Sequence, residues 1–230
     1  MKNGRTWRLA IGTESARNNG LTALLIMEAF TLFIAAPLSA LGFHFALLLG
    51  GSICAPLLLT IVVISRSPGA RFLVTIAAAL ALGGAVFRIH HPSLVTFWLA
   101  HLAGITALSA VSLVIVQAVF APGRITYHRL EGAVILYLNI ALAFTSVYRL
   151  ILELDPVAFA PIAAQRTEAE AATAMLYFSF TTLTSTGFGE ILPTNPFARS
   201  MANLESVLGQ LYLAIMLARL VTMQGEARRN

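Results

Sequence analysis

The chain is short of charge: only 11% of its 230 residues are Asp, Glu, Lys or Arg, whereas 58% are hydrophobic. Soluble domains have about a quarter of their residues charged. So few charges cannot cover a water-facing surface, which excludes an ordinary soluble enzyme and a disordered protein. Cys54 is the single cysteine, so an intrachain disulfide framework is excluded as well. The composition therefore indicates a membrane protein.

The basic residues are not gathered into runs. The formal net charge is +5, but Lys and Arg are scattered between apolar stretches, without a basic stripe that holds interleaved aromatic residues. This excludes a nucleic-acid interface and is typical of charges that set membrane topology. No serine lies in a nucleophile elbow, no glycine-rich loop carries a phosphate-binding lysine, and no His/Cys/Asp cluster has metal-ligand spacing. We expect no enzyme, no cofactor and no resident metal.

Six apolar runs are long enough to cross a bilayer core, which takes about 20 helical residues. They are residues 21–42, 43–64, 72–89, 93–119, 131–154 and 197–221, of which the first is expected to break near Pro37. A shorter apolar piece, Thr173 to Leu183, lies between the fifth and sixth runs. Its helical rise of about 17 Å is half a membrane. It is therefore expected to be a re-entrant half-helix.

Loop charge predicts the orientation. A cytoplasmic N-terminus places 11 of the 15 Lys and Arg residues on the inner side, as the positive-inside rule requires. The basic N-terminus before an apolar run also fits a signal peptide, but the run is long and lacks a clear A-x-A-like site, which favours a retained helix. We expect a multi-pass protein of the cell membrane, surrounded by lipid, with both termini in the cytoplasm.

The stretch after the short apolar piece carries the chemistry. Its residues are Ser185, Thr186, Gly187, Phe188, Gly189 and Glu190. Non-helical backbone at membrane depth is tolerated only where it is buried in protein or lines a watery cavity. Glycines at alternate positions permit backbone angles that side chains resist, which lets successive carbonyls turn to one side. Such a row of carbonyls can replace the water shell of a cation.

At these residues the chain resembles the tetrameric potassium-channel family, whose filter reads T-V-G-Y-G-D after a threonine-rich pore helix. The resemblance covers about residues 131–221, and the chain is similar to bacterial six-span members with a single pore loop. It implies that Ser185 to Gly189 form the ion-binding filter, with Glu190 at the outer mouth. It also implies a homotetramer with an axial pore and potassium as the permeating ion. Voltage-sensing members carry arginines in the fourth helix, but residues 93–120 contain no Lys or Arg.

The last apolar run corresponds to the inner helix of the family. The resemblance places Gly209 at the glycine often treated as the gating hinge. Gln210, Leu213 and Leu217 recur at three and four residues and share one helix face, which by resemblance lines the cavity below the filter. Glu205 lies one turn before Gly209. It is expected to brace the pore helix by accepting from Thr181 or Thr182, the alternative being a cation attractor in the cavity.

Two titratable residues within apolar runs leave their roles open. Glu28, in the first run, is costly there unless it faces protein or water, so we expect a buried pair or polar anchor, with gating as the alternative. His101, in the fourth run, is expected to be a core histidine with its hydrogen bonds satisfied rather than a proton sensor.

Together these patterns predict an all-α membrane protein. We expect six transmembrane helices, with a re-entrant pore helix and a selectivity-filter loop between helices five and six. The segments are a cytoplasmic 1–20, a peripheral four-helix domain 21–120, a linker 121–130, a pore domain 131–221 and a tail 222–230. The expected function is passive permeation of cations, potassium above all. The alternatives are a weakly selective cation channel of the same architecture and a non-conducting transporter or scaffold.

Overall fold

The computed structural model describes residues 21–42, 75–76, 79, 83–84, 87, 91, 93–120, 127–161 and 167–229. The expected second span and most of the third lie outside the described residues, as does the N-terminal segment. The described helices are α1 (Leu21–Ala40), α2 (Leu94–Phe120), α3 (Tyr127–Leu154), α4 (Glu168–Leu183) and α5 (Pro196–Arg229). Strands β1 (Phe159–Ala160) and β2 (Leu192–Pro193) form one short antiparallel pair.

Three helices of this described part are long and apolar enough to cross a membrane. They comprise Leu21–Ala40, Arg129–Leu154 and Pro196–Arg219. Apart from helices, the regular structure of the described residues is limited to two-residue strands, so the expected all-α membrane class is confirmed for these residues. Helix α3 begins before residue 131, and α5 continues past residue 221 through most of the expected tail. Hydropathy marks the apolar part of a helix but not the polar turns at its ends, which helix-forming residues extend.

The expected break of α1 at Pro37 is wrong, because a π-helical turn before Pro37 lets the helix continue past it. Residues Thr31–Ala35 form a π-helical turn, in which the Ala36 amide donates to the Thr31 carbonyl five residues earlier. Proline lacks an amide hydrogen, and its ring collides with the carbonyl four residues before it. Widening the preceding turn relieves that clash, so the helix continues to Ala40.

Helix α4 begins at Glu168, five residues before the expected start at Thr173. A capping box explains the earlier start: the Glu170 amide donates to the Thr167 hydroxyl at 3.3 Å, and the Thr167 amide donates to the Glu170 carboxylate at 2.7 Å. Two polar residues of what looked like a loop therefore belong to the first turn of the helix.

The core around α4 is aromatic. The rings of Tyr148, Phe159 and Phe178 meet edge to face, with centroids 4.9 to 5.7 Å apart. This geometry is favourable for aromatic pairs and fixes α4 beside α3. The Thr194 amide donates to the Ala158 carbonyl at 2.8 Å, next to the β1–β2 pair. The loop that leaves α3 is thereby joined to the segment that follows residues 185–190.

A buried arginine connects α3 to its neighbours. Arg149 is 8% exposed, and its guanidinium lies 3.4 Å from the Glu168 carboxylate at the start of α4. The same guanidinium lies 5.8 Å from the centre of the Phe97 ring on α2. An ion pair and a cation–π contact thus satisfy a charge that would be costly in an apolar helix.

Candidate functional site

The backbone after α4 turns back onto the end of that helix. The amides of Thr186 and Gly187 both donate to the Thr181 carbonyl, at 2.8 and 3.1 Å, and the Ser185 amide donates to the Thr182 carbonyl at 2.9 Å. Helix ends leave their last carbonyls without intrahelical partners. Here the first residues of the following segment satisfy them, which fixes where that segment starts.

Along this segment the backbone alternates in hand. Ser185, Gly187 and Gly189 have positive φ, at 55°, 55° and 81°, whereas the intervening residues do not. Successive residues of opposite hand turn their amides to one side of the chain, so their carbonyls face the other side. The two glycines accept this conformation readily, but Ser185 has a side chain and is strained by it. The positive φ of the two glycines is the backbone property on which the expected row of carbonyls depends, and the row itself stays a prediction.

The inner end of this row contacts α5. The Gln210 amide nitrogen donates to the Ser185 hydroxyl at 2.9 Å, and the Ser206 hydroxyl lies 3.1 Å from the same oxygen. Ser206 and Gln210 are four residues apart and share a helix face. The Thr186 hydroxyl lies 2.8 Å from the Thr184 hydroxyl. Side chains of the segment are thus held by α4 on one side and α5 on the other.

The outer end is held by Tyr177 of α4. Its hydroxyl donates to the Glu190 carboxylate at 2.8 Å. Its ring also stacks on Phe188, with an interplanar angle of 6° and centroids 6.4 Å apart. Phe188 lacks the hydroxyl that the family has at this position, and it contacts the helix through its ring face instead.

Glu205 connects three helices. Its side chain has no exposed surface. It accepts from the Tyr148 hydroxyl of α3 at 2.6 Å and from the Ser179 hydroxyl of α4. The expected donors, Thr181 or Thr182, are wrong, because Ser179 is the hydroxyl of α4 that faces α5 at this level. Enclosure between helices favours the bracing role over a cation attractor in an open cavity.

Gly209 marks the closest approach of α5 to α4. A Cβ at this position would overlap the Leu183 carbonyl oxygen and lie 3.0 Å from its carbonyl carbon. The Tyr137 hydroxyl also donates to that carbonyl, at 3.3 Å. The structure gives Gly209 a packing role, while the hinge role stays a prediction. Further along α5, Leu213 and Leu217 are 50% and 64% exposed in the single chain.

The two titratable residues of the peripheral helices differ. Glu28 is 4% exposed, and neither carboxylate oxygen has a hydrogen-bond partner in the part of the chain that the structure describes. Glu28 is thus buried as expected, while its pairing stays a prediction. His101 has Nδ1 3.0 Å from the Phe97 carbonyl, a local contact within α2.

Several residues of the site escaped sequence reasoning. Ser206 could have been found from its spacing to Gln210, which places both on one face. Tyr148 gives no local signal, because it is 57 residues from its partner Glu205. Among the described residues, no group of three or more His, Cys, Asp or Glu side chains could hold a metal ion.

Comparison with known proteins gives one match. Residues 134–224, which include most of α3, all of α4 and most of α5, match the family model described as ion channel. Searches of curated proteins and of solved structures give no significant match.

Proposed function

Because residues 134–224 match the ion channel family model, we propose that the protein is a passive cation channel selective for potassium. The carbonyls of Ser185 to Gly189 are its ion-binding filter, with Glu190 at the outer mouth. The observation that carries this proposal is the alternation of backbone hand at residues 185, 187 and 189. Carbonyls turned to one side can replace the hydration shell of a cation.

The helix before the filter supports a re-entrant pore loop. Helix α4 has 16 residues, which span about 24 Å, less than the roughly 30 Å of a bilayer core. It enters the membrane with its C-terminal end at Thr184, where the partial negative charge of the helix favours a cation. The chain then returns through the filter to β2, which pairs with β1 at the outer surface.

The surface of α5 supports assembly of four copies. One chain supplies one row of carbonyls, and a ring around an ion needs several rows. In the most apolar stretch of α5 only 11% of the residues are buried, whereas in that of α3 the share is 50%. Most of the α5 surface is therefore left for neighbouring copies and lipid. The exposed hydrophobic side chains of α5 include Leu204, Val207, Leu208, Leu211, Leu213, Ile215 and Leu217. We place the homotetramer in the cell membrane, with both termini cytoplasmic.

A reconstituted flux assay tests the function. Vesicles that contain the protein should release potassium down its gradient, and Gly187→Ala should abolish that flux, because φ at 187 is +55° and the filter cannot keep this angle without strain. Gly42→Ala is the matched control. Gly42 also has positive φ and open space around it, but it lies in the turn after α1.

The outcomes separate the alternatives. Flux in Gly42→Ala but not in Gly187→Ala, with both proteins assembled, is the expected result. Equal flux of sodium and potassium would indicate the weakly selective channel. Absence of any cation flux from the unaltered protein would indicate a non-conducting membrane protein, and unchanged flux in Gly187→Ala would show that ions cross elsewhere.

A further inference from the structure

The innermost filter residue is in a conformation that its own chemistry does not favour. Ser185 has φ of 55°, and it alone among the described non-glycine residues has positive φ. Left-handed backbone costs a residue with a Cβ about 1 kcal/mol or more, and it persists where the surroundings fix it. Some contact must therefore hold Ser185.

Part of that support comes from α4. The Ser185 amide donates to Thr182, and the next two amides donate to Thr181. These bonds fix the amide side of the turn. They do not bind the side chain of Ser185, whose position also depends on this conformation.

The side chain is held by α5. The Gln210 amide nitrogen donates to the Ser185 hydroxyl at 2.9 Å, and the Ser206 hydroxyl lies 3.1 Å away. Among the described residues, this is the one polar contact of the Gln210 side chain. A hydroxyl has one hydrogen to donate and two lone pairs. With Gln210 and Ser206 both bonded to it, the Ser185 oxygen is directed towards α5 and keeps at most one lone pair for an ion or a water molecule.

We propose that Gln210 and Ser206 are positioning residues that fix Ser185, and through it the innermost oxygen atoms of the filter and their preference among monovalent cations. This inference rests on the proposed function. Gln210 then acts on the permeating ion through Ser185 and not only as a lining residue of the cavity. A shift of α5 at Gln210 changes the filter entrance directly, because the hydrogen bond joins them.

A double-mutant cycle on ion preference tests this. The reversal potential of the reconstituted full-length channel, in opposed potassium and sodium gradients, gives the permeability ratio. Gln210→Leu removes the amide donor and keeps the approximate size. We expect it to lower the potassium-to-sodium ratio about threefold to tenfold, the range for one hydrogen bond. In a Ser185→Ala background, the same change should have no further effect, because its partner is already gone.

Two further variants complete the design. Ser206→Ala should show the same dependence on Ser185, and it replaces Gln210→Leu in the cycle if that variant fails to assemble. Thr222→Val is the control: it removes a hydroxyl from α5 that donates to Ala218 within the helix, far from the filter. Its ratio should match that of the unaltered protein.

The results separate this inference from the proposed function. Equal effects of Gln210→Leu with and without Ser185, or an unchanged ratio in both variants, would overturn the positioning role while conduction stands. A lack of cation current from the unaltered channel would overturn the proposed function itself.

Discussion

Two glutamates are enclosed in apolar helices, and their surroundings differ. Glu205 of α5 has no exposed surface and accepts hydrogen bonds from Tyr148 and Ser179. Glu28 of α1 is 4% exposed and has no hydrogen-bond partner in the described part of the chain. A buried polar group without a partner costs free energy, whereas a bonded one stabilises its surroundings. The region of α3 to α5 is thus fixed by specific polar contacts, whereas the Glu28 carboxylate of α1 has no hydrogen-bond partner among the described residues.

Contacts of α1 with that region lie near both ends of the helix and between them. Near one end, the Thr22 hydroxyl donates to the Glu131 carboxylate at 2.7 Å. Near the other end, the Thr173 hydroxyl of α4 lies 3.3 Å from the Ala36 carbonyl. Between them, Phe33, which lies in the π-helical turn, packs on Phe180 with ring centres 5.6 Å apart. These contacts attach α1 to α3 and α4 without supplying any part of the filter.

The largest expected effect is at Gly209, where α5 packs directly on the Leu183 carbonyl of α4. In Gly209→Ala the new methyl group overlaps the Leu183 carbonyl, which is backbone and cannot rotate away. We expect destabilisation by about 3 kcal/mol or more, the upper end for overpacking. Thermal unfolding and size-exclusion chromatography in detergent measure the loss of assembled protein. Gly104→Ala on α2 is the control, since nothing lies within 4 Å of a Cβ there.

Unchanged stability in Gly209→Ala would show that α5 can move away from α4 at this level. Gly209 would then be a place of movement, as the resemblance to potassium channels suggested, and the packing interpretation would be wrong.

The next effect is at Glu205. Glu205→Leu leaves the Tyr148 hydroxyl buried without its acceptor, and we expect destabilisation by about 1–3 kcal/mol. Ser179 keeps a second partner, the Ala141 carbonyl at 2.8 Å. Adding Tyr148→Phe should restore part of the lost stability. Removing both hydrogen-bond partners costs less free energy than leaving one buried without its partner. The midpoint of thermal unfolding measures both. A double variant less stable than Glu205→Leu alone would contradict the account.

The backbone angles of Gly187 and Gly189 could be predicted from the sequence better than the contacts that hold residues 185–190. Glycines at 187 and 189 announce positive φ, because that conformation is local to each residue. The left-handed Ser185 was not predicted, since its contacts with α4 and with Gln210 and Ser206 of α5 arise only in the folded chain. The start of α4 could have been predicted from the capping box of Thr167 and Glu170, whose signature is local. The partners of Glu205 could not, because Tyr148 and Ser179 reach it only through the packing of three helices.

The smallest expected effect tests the other half of the comparison, at Glu28. Glu28→Leu replaces an unpartnered carboxylate by an apolar side chain of similar size in a buried position of α1. We expect stabilisation by about 1–2 kcal/mol, the usual cost of burying a polar group without a hydrogen bond. That is an increase of a few degrees in the unfolding midpoint, opposite in sign to Glu205→Leu. Glu28→Gln should fall between, because it removes the ionisable carboxyl group but leaves two polar atoms without a partner in the described part of the chain.

A decrease in the midpoint of Glu28→Leu would break the comparison. It would mean that the Glu28 carboxylate has a partner in the assembled protein. That partner would come from another copy or from residues that the structure does not describe. Carboxylates inside a membrane cost free energy and are usually functional. Such a partner would therefore favour the gating role of Glu28 over a purely structural one. An increase in stability with flux unchanged would instead confine α1 to a structural attachment, and would leave α3 to α5 as the part of the chain that conducts.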